Sequence, residues 1–77
     1  MMPPKQFKRL DVRPILERGD MPLPVVLAQA EALAPGEGLL VIAPFLPSPL
    51  IKVLQGEGFQ SQIDRGDDGV CEVYFWK

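Results

Sequence analysis

The sequence predicts an α/β two-layer sandwich, an α+β domain of βαβαββ order in which a four-stranded mixed sheet carries two helices on one face. Three observations predict it. Leu39-Leu40-Val41-Ile42-Ala43 is a continuous apolar run with no polar alternation, as a strand central in a sheet requires. Proline-led segments with helical apolar spacing stand on either side of that run. Gly66-Asp67-Asp68-Gly69 separates two strand-like segments and reads as a hairpin turn. A chain of 77 residues builds one core. Two helices cannot cover both faces of four strands, so both are expected on one.

Residues 1–6 hold two prolines and little to bury, and are expected to be a flexible N-terminus. Residues 7–77 form the single domain. Phe7-Lys8-Arg9-Leu10-Asp11-Val12 alternates and predicts a strand with Leu10 and Val12 inward. Residues 14–21 then form an eight-residue link, long for a strand-to-helix connection and apolar at Ile15, Leu16 and Met21. Asp20 is a candidate N-cap for a helix running to about residue 34, with Pro22 and Pro24 tolerated in its first turn. Leu23, Val26, Leu27, Ala30, Leu33 and Ala34 fall on one of its faces. Pro35-Gly36-Glu37-Gly38 stops this helix and leads into the central strand, so the first two strands run parallel through a crossover.

Pro44, Pro47 and Pro49 close the apolar run, because proline lacks the ladder donor and restricts the residue before it. Ser48 is the expected N-cap of a second helix, with Leu50, Ile51 and Leu54 inward and Val53 flanking. The helix ends at Gly56-Glu57-Gly58. Residues 59–65 alternate, with Phe59 and Ile63 inward. Residues 70–76 are more apolar, which places them inside the sheet beside the central strand and leaves 59–65 at an edge.

Composition excludes several kinds of chemistry. There is no histidine, so a Ser-His-Asp triad, a Cys-His pair and a histidine-bearing zinc site cannot form within one chain. A single cysteine makes no intramolecular disulfide, so no oxidising compartment is implied. The net charge of −2 argues against non-specific nucleic-acid binding. No apolar run is long enough to span a membrane, and the Met-Met-Pro-Pro-Lys start lacks the apolar core of a signal peptide. A cytoplasmic protein with no cofactor and no membrane partner is expected.

Leu10-Asp11-Val12-Arg13, Pro22, Leu33-Ala34-Pro35-Gly36-Glu37, Ile42-Ala43-Pro44-Phe45, Pro47, Pro49-Leu50 and Gly58-Phe59 resemble the TusA-like superfamily (the SirA/TusA-related proteins). They are closer still to the bacterial domain-of-unknown-function family 2249. The resemblance covers nearly the whole chain after residue 8 and implies the same two-layer fold. TusA-type proteins carry sulfur as a persulfide on the cysteine of a Cys-Pro-x-Pro motif at the first helix start. Helix amides there stabilise a thiolate. The aligned motif here is Met21-Pro22-Leu23-Pro24, which keeps the prolines and lacks the thiol. A thioether holds no persulfide, so sulfur relay at this position is not supported. Leu46 also stands where relatives often carry an acidic residue.

The candidate binding edge lies where the first two strands end, the place ligands favour in open α/β sheets. Two loops converge there and offer Arg13, Ile15, Leu16, Arg18, Met21 and Pro22 from one, Phe45, Leu46 and Pro47 from the other. An apolar patch with a charged rim suits a protein-binding surface. The competing reading is that these side chains turn inward and cap a small core. The helix starts at Met21 and Ser48 offer amides to an anion, with Arg13 or Arg18 assisting. On the face away from the helices, Glu72, Tyr74 and Trp76 are joined by Phe7. They suggest a homodimer contact or a half-exposed sheet before RNA stacking, given the acidic balance.

Cys71 shares a face with Val73 and Phe75, which is assigned to the helices. It is either an inert core thiol or the thiol of a divergent sulfur carrier. The expected function is a non-catalytic interaction or ligand-binding module, with another protein or a small ligand as partner. The alternative is a sulfurtransferase-related carrier using Cys71.

Overall fold

A computed structural model describes residues 4–66 and 68–77. Residues 1–3, half of the expected flexible N-terminus, and Asp67 of the expected hairpin turn lie outside the described residues. The architecture is built outward from one strand, β2 (Glu37–Ala43), which has a strand on each side of it. β1 (Gln6–Asp11) pairs with it in parallel and β4 (Cys71–Trp76) antiparallel; β3 (Gln60–Arg65) closes the far edge against β4. The order β1-β2-β4-β3 puts the two apolar strands in the middle and the polar one outside, as their compositions require.

Register divides the side chains between two faces. Leu39 lies beside Phe75, Val41 beside Val73 and Ala43 beside Cys71. These six point to the helices. Val12, Ile15, Val26, Ala30, Leu50, Ile51 and Leu54 complete the buried layer with them, so every helix lies on that face. The other face carries Phe7, Arg9 and Asp11 from β1, Leu40 and Ile42 from β2, and Glu72, Tyr74 and Trp76 from β4. The four-stranded mixed sheet and its one-sided helices form the predicted α+β sandwich.

Local structure departs from expectation at four places. The long 14–21 link contains a short helix, α1 (Arg13–Glu17), with Pro14 in its first turn and Ile15 buried. Its apolar residues are explained by that packing. Helix α2 (Pro22–Glu31) starts without a side-chain cap. Met21 is the extended residue before it, and the Asp20 carboxylate instead accepts from Arg18 Nε at 3.3 Å. Pro22 and Pro24 leave Leu23 as the only N–H donor among the first three helical residues, so a cap has little to bind. At the other end α2 stops at Glu31 rather than 34. Pro35 disfavours helical backbone at Ala34, and Gly36 turns the chain at φ +83°.

Helix α3 (Ser48–Gly56) begins one residue earlier than expected: Pro47 is its cap and Ser48 its first residue. The Ser48 N–H is donated to the Leu46 carbonyl at 2.9 Å in a tight local turn. Gln55 Nε2 donates to Ser61 Oγ at 3.0 Å, tying α3 to the edge strand. The β3–β4 turn is held by the Gly66 N–H on the Val70 carbonyl at 2.9 Å and by the Val70 N–H on Asp68 Oδ1 at 3.1 Å. Among the described residues no helix is long and apolar enough to cross a membrane.

Candidate functional site

β1 and β2 run in parallel and end side by side, with Asp11 opposite Ile42 and the Val12 N–H donated to the Ile42 carbonyl at 3.0 Å. The loops that follow therefore leave the sheet at one edge. The sequence assigned nine residues to it, and the structure divides them. Ile15 is 8% exposed and belongs to the core. Pro47 is buried as well, and Leu16 and Leu46 are half-buried against the core. Pro22 is half-buried. Met21 and Phe45 face outward, at 72% and 57% exposure, the two most exposed large apolar side chains among the described residues. Capping and contact are thus both present, on different residues of the same loops.

The buried members hold the exposed ones in place. Ile15 and Leu16 anchor α1, whose last turn delivers the chain through Gly19 (φ +77°) to Met21. Leu46 and Pro47 anchor the segment that presents Phe45. Val25, exposed one helical turn after Met21, extends the apolar strip along α2. The i+4 spacing from Met21 is the sequence signal for it.

The charged rim is internally satisfied. Asp11 accepts from the Arg13 backbone N–H at 3.0 Å, from its Nε at 2.9 Å and from its Nη2 at 2.7 Å. These side-chain hydrogen bonds hold the Asp11 carboxyl down at about 2, and the same bonds raise the Arg13 guanidinium above its ordinary value. Arg18 pairs with Asp20 at 3.3 Å. Each arginine that would assist anion binding at the α2 start has a carboxylate of its own. Two of the first three positions of that helix are prolines without a donor. The arrangement offers an apolar contact surface with a neutralised rim.

Cys71 is 4% exposed and lies beside Ala43 in the central sheet, under the helices. Among the described residues no group of three His, Cys, Asp or Glu side chains is placed to hold a metal ion. On the opposite sheet face the aromatic rings are engaged with one another: Phe7 meets Tyr74 edge-on at 5.1 Å between centroids and Trp76 at 6.3 Å. Trp76 is 9% exposed, and its Nε1 has no hydrogen-bond partner among the described residues. Rings set nearly perpendicular to one another in this way are not laid out as a platform for stacked bases.

No match was found among the curated proteins or among the solved structures. Residues 9–77, which contain every element but the start of β1, match the family described as Uncharacterized conserved protein (DUF2249), and the chain belongs to that family.

Proposed function

We propose that this protein is a non-catalytic interaction module that docks a partner protein on the edge formed by Met21, Val25 and Phe45. One observation carries the reading. The two most exposed large apolar side chains among the described residues stand on two loops that leave the sheet at the same edge, loops anchored on the core through Ile15 and Leu16 in one and Leu46 in the other. Preorganised apolar side chains cost little entropy to dock, and contacts of this kind dominate protein interfaces. The self-paired Arg13 and Arg18 leave a rim of low net charge, which favours a protein surface over an anionic ligand.

Placement in the TusA-like superfamily is supported by the βαβαββ order and by the Met21-Pro22-Leu23-Pro24 segment at the α2 start. In that setting the module is a bacterial, cytoplasmic protein that keeps the position of the sulfur-carrier motif and uses it for contact. The burial of Cys71 favours this reading over a sulfur carrier, whose thiol must reach a donor and an acceptor.

The test is site-specific photocrosslinking in cell extract, with a benzophenone amino acid at position 45 and, separately, at position 52 on the outer face of α3. A defined adduct at 45, absent at 52 and lost on Met21→Asp, is the expected result. Equal adducts at both positions, or none at 45, would overturn the proposal.

A further inference from the structure

The sheet end opposite Met21 and Phe45 carries a concavity that the interaction edge does not use. It lies where α2 ends, β2 begins and β4 runs out, and its volume is about 550 Å³. Leu27, Ala30 and Phe59 form its apolar floor, and Glu31, Glu57 and Lys77 stand around its mouth. That volume falls within the range of small-ligand pockets. Its lining residues come from separate segments of the chain, so no local sequence pattern marks them as a site.

Its charges are unevenly matched. Glu37, at the same cleft, is occupied: its Oε1 accepts the Ala34 N–H at 2.8 Å and faces Lys8 Nζ at 3.8 Å. Glu31 and Glu57 have no cation within 4 Å among the described residues. Lys77 does not pair with them. Its Nζ stands 4.8 Å from the centroid of the Phe59 ring, where the quadrupole of the ring attracts a cation. An ammonium group on an aliphatic stem therefore already rests on the aromatic wall of an apolar cleft, with two unpaired carboxylates at the mouth.

We propose that this cleft binds the protonated amine of an aliphatic chain, with Phe59, Leu27 and Ala30 covering the hydrocarbon, Glu31 and Glu57 receiving the charge, and Lys77 serving as the chain's own occupant until such a ligand displaces it. An anion would meet two unpaired carboxylates, and a neutral alkane would leave them unused. Lys77 is exposed and belongs to no strand or helix, so its side chain can leave the ring without disturbing the sheet. A free alkylamine and a lysine side chain of a partner present the same chemistry, and the experiment separates them.

The full chain is titrated with n-pentylammonium chloride and, in parallel, with N-acetyl-lysine methylamide, following backbone amide shifts by NMR. Pentan-1-ol and ammonium chloride at matched ionic strength are the controls. Saturable shifts confined to Ala30, Glu57, Phe59 and Lys77 are expected with the amines and with neither control. Stronger binding of pentylammonium assigns a free amine, and stronger binding of the lysine derivative assigns a partner's side chain. Glu31→Gln and Glu57→Gln should each weaken binding by about threefold, the effect of one exposed charge pair. Lys77→Gln should strengthen it by removing the competing cation. Pentan-1-ol binding as well as the amines, shifts reproduced by ammonium chloride, or no saturable shift with either amine would overturn the proposal. Because these residues lie at the other end of the sheet, none of these outcomes touches the interaction edge.

Discussion

The ring of Phe7 occupies the space that a side chain at Gly38 would need. The two residues are partners across the β1–β2 ladder, and a Cβ on Gly38 would overlap the ring edge and come within 2.8 Å of the Phe75 carbonyl oxygen. The Phe7 ring can sit there only because position 38 has no side chain. Its edge contacts with Tyr74 and Trp76 follow from that position. This is how a sheet without helices on its second face covers that face itself.

Gly38→Ala is therefore expected to destabilise the fold by about 2 kcal/mol, the cost of overfilling a packed site. Urea unfolding followed by Trp76 fluorescence measures it. Phe7→Ala in the same chain should restore only part of the loss, because the Phe75 oxygen belongs to the backbone and cannot yield. Full restoration would mean that the ring alone makes the site tight.

Asp11 and Arg13 predict a pH dependence. The folded-state value of the Asp11 carboxyl, about 2, lies below the ordinary 3.8, so between these values the unfolded chain binds more protons than the folded one. The stabilisation is complete above pH 5 and fades as pH falls through 4 toward 2. Both side chains are partly exposed, which limits the contribution to about 1 kcal/mol. Asp11→Asn should lose that amount at pH 7, and the gap between variant and parent should close near pH 2. A gap that does not change with pH would assign the loss to packing.

Two substitutions at the candidate edge separate capping from contact. Ile15→Ala removes a buried side chain and should cost about 2 kcal/mol. Met21→Ser and Phe45→Ser remove exposed ones and should stay within about 0.5 kcal/mol of the parent in chemical denaturation. A large loss at Met21 or Phe45 would return those residues to the core.

The Cys71 thiol should react with a small disulfide reagent at least about a thousandfold more slowly in the native protein than in denaturant, since modification requires opening of the sheet. Comparable rates would bring the thiol to the surface and revive carrier chemistry.

The central strands, the two longer helices and the face of the sheet that Cys71 occupies were all legible in the sequence, whereas the short helix α1 was not. Those properties depend on local patterns: an unbroken apolar run, helical spacing, and alternation whose phase is readable residue by residue. The sequence also carried the family through the Leu10–Arg13 and Ile42–Phe45 segments. Which loop residues became caps was settled by packing in three dimensions. Ile15, Leu16, Met21, Phe45 and Leu46 are equally apolar in the sequence, and which of them turns inward depends on the room left between α1, α2 and the end of β2. The same holds for Phe7 over Gly38, and for the cleft joining Phe59, Lys77 and α2. Both arise from segments far apart in the chain, brought together by strand register that no local pattern contains.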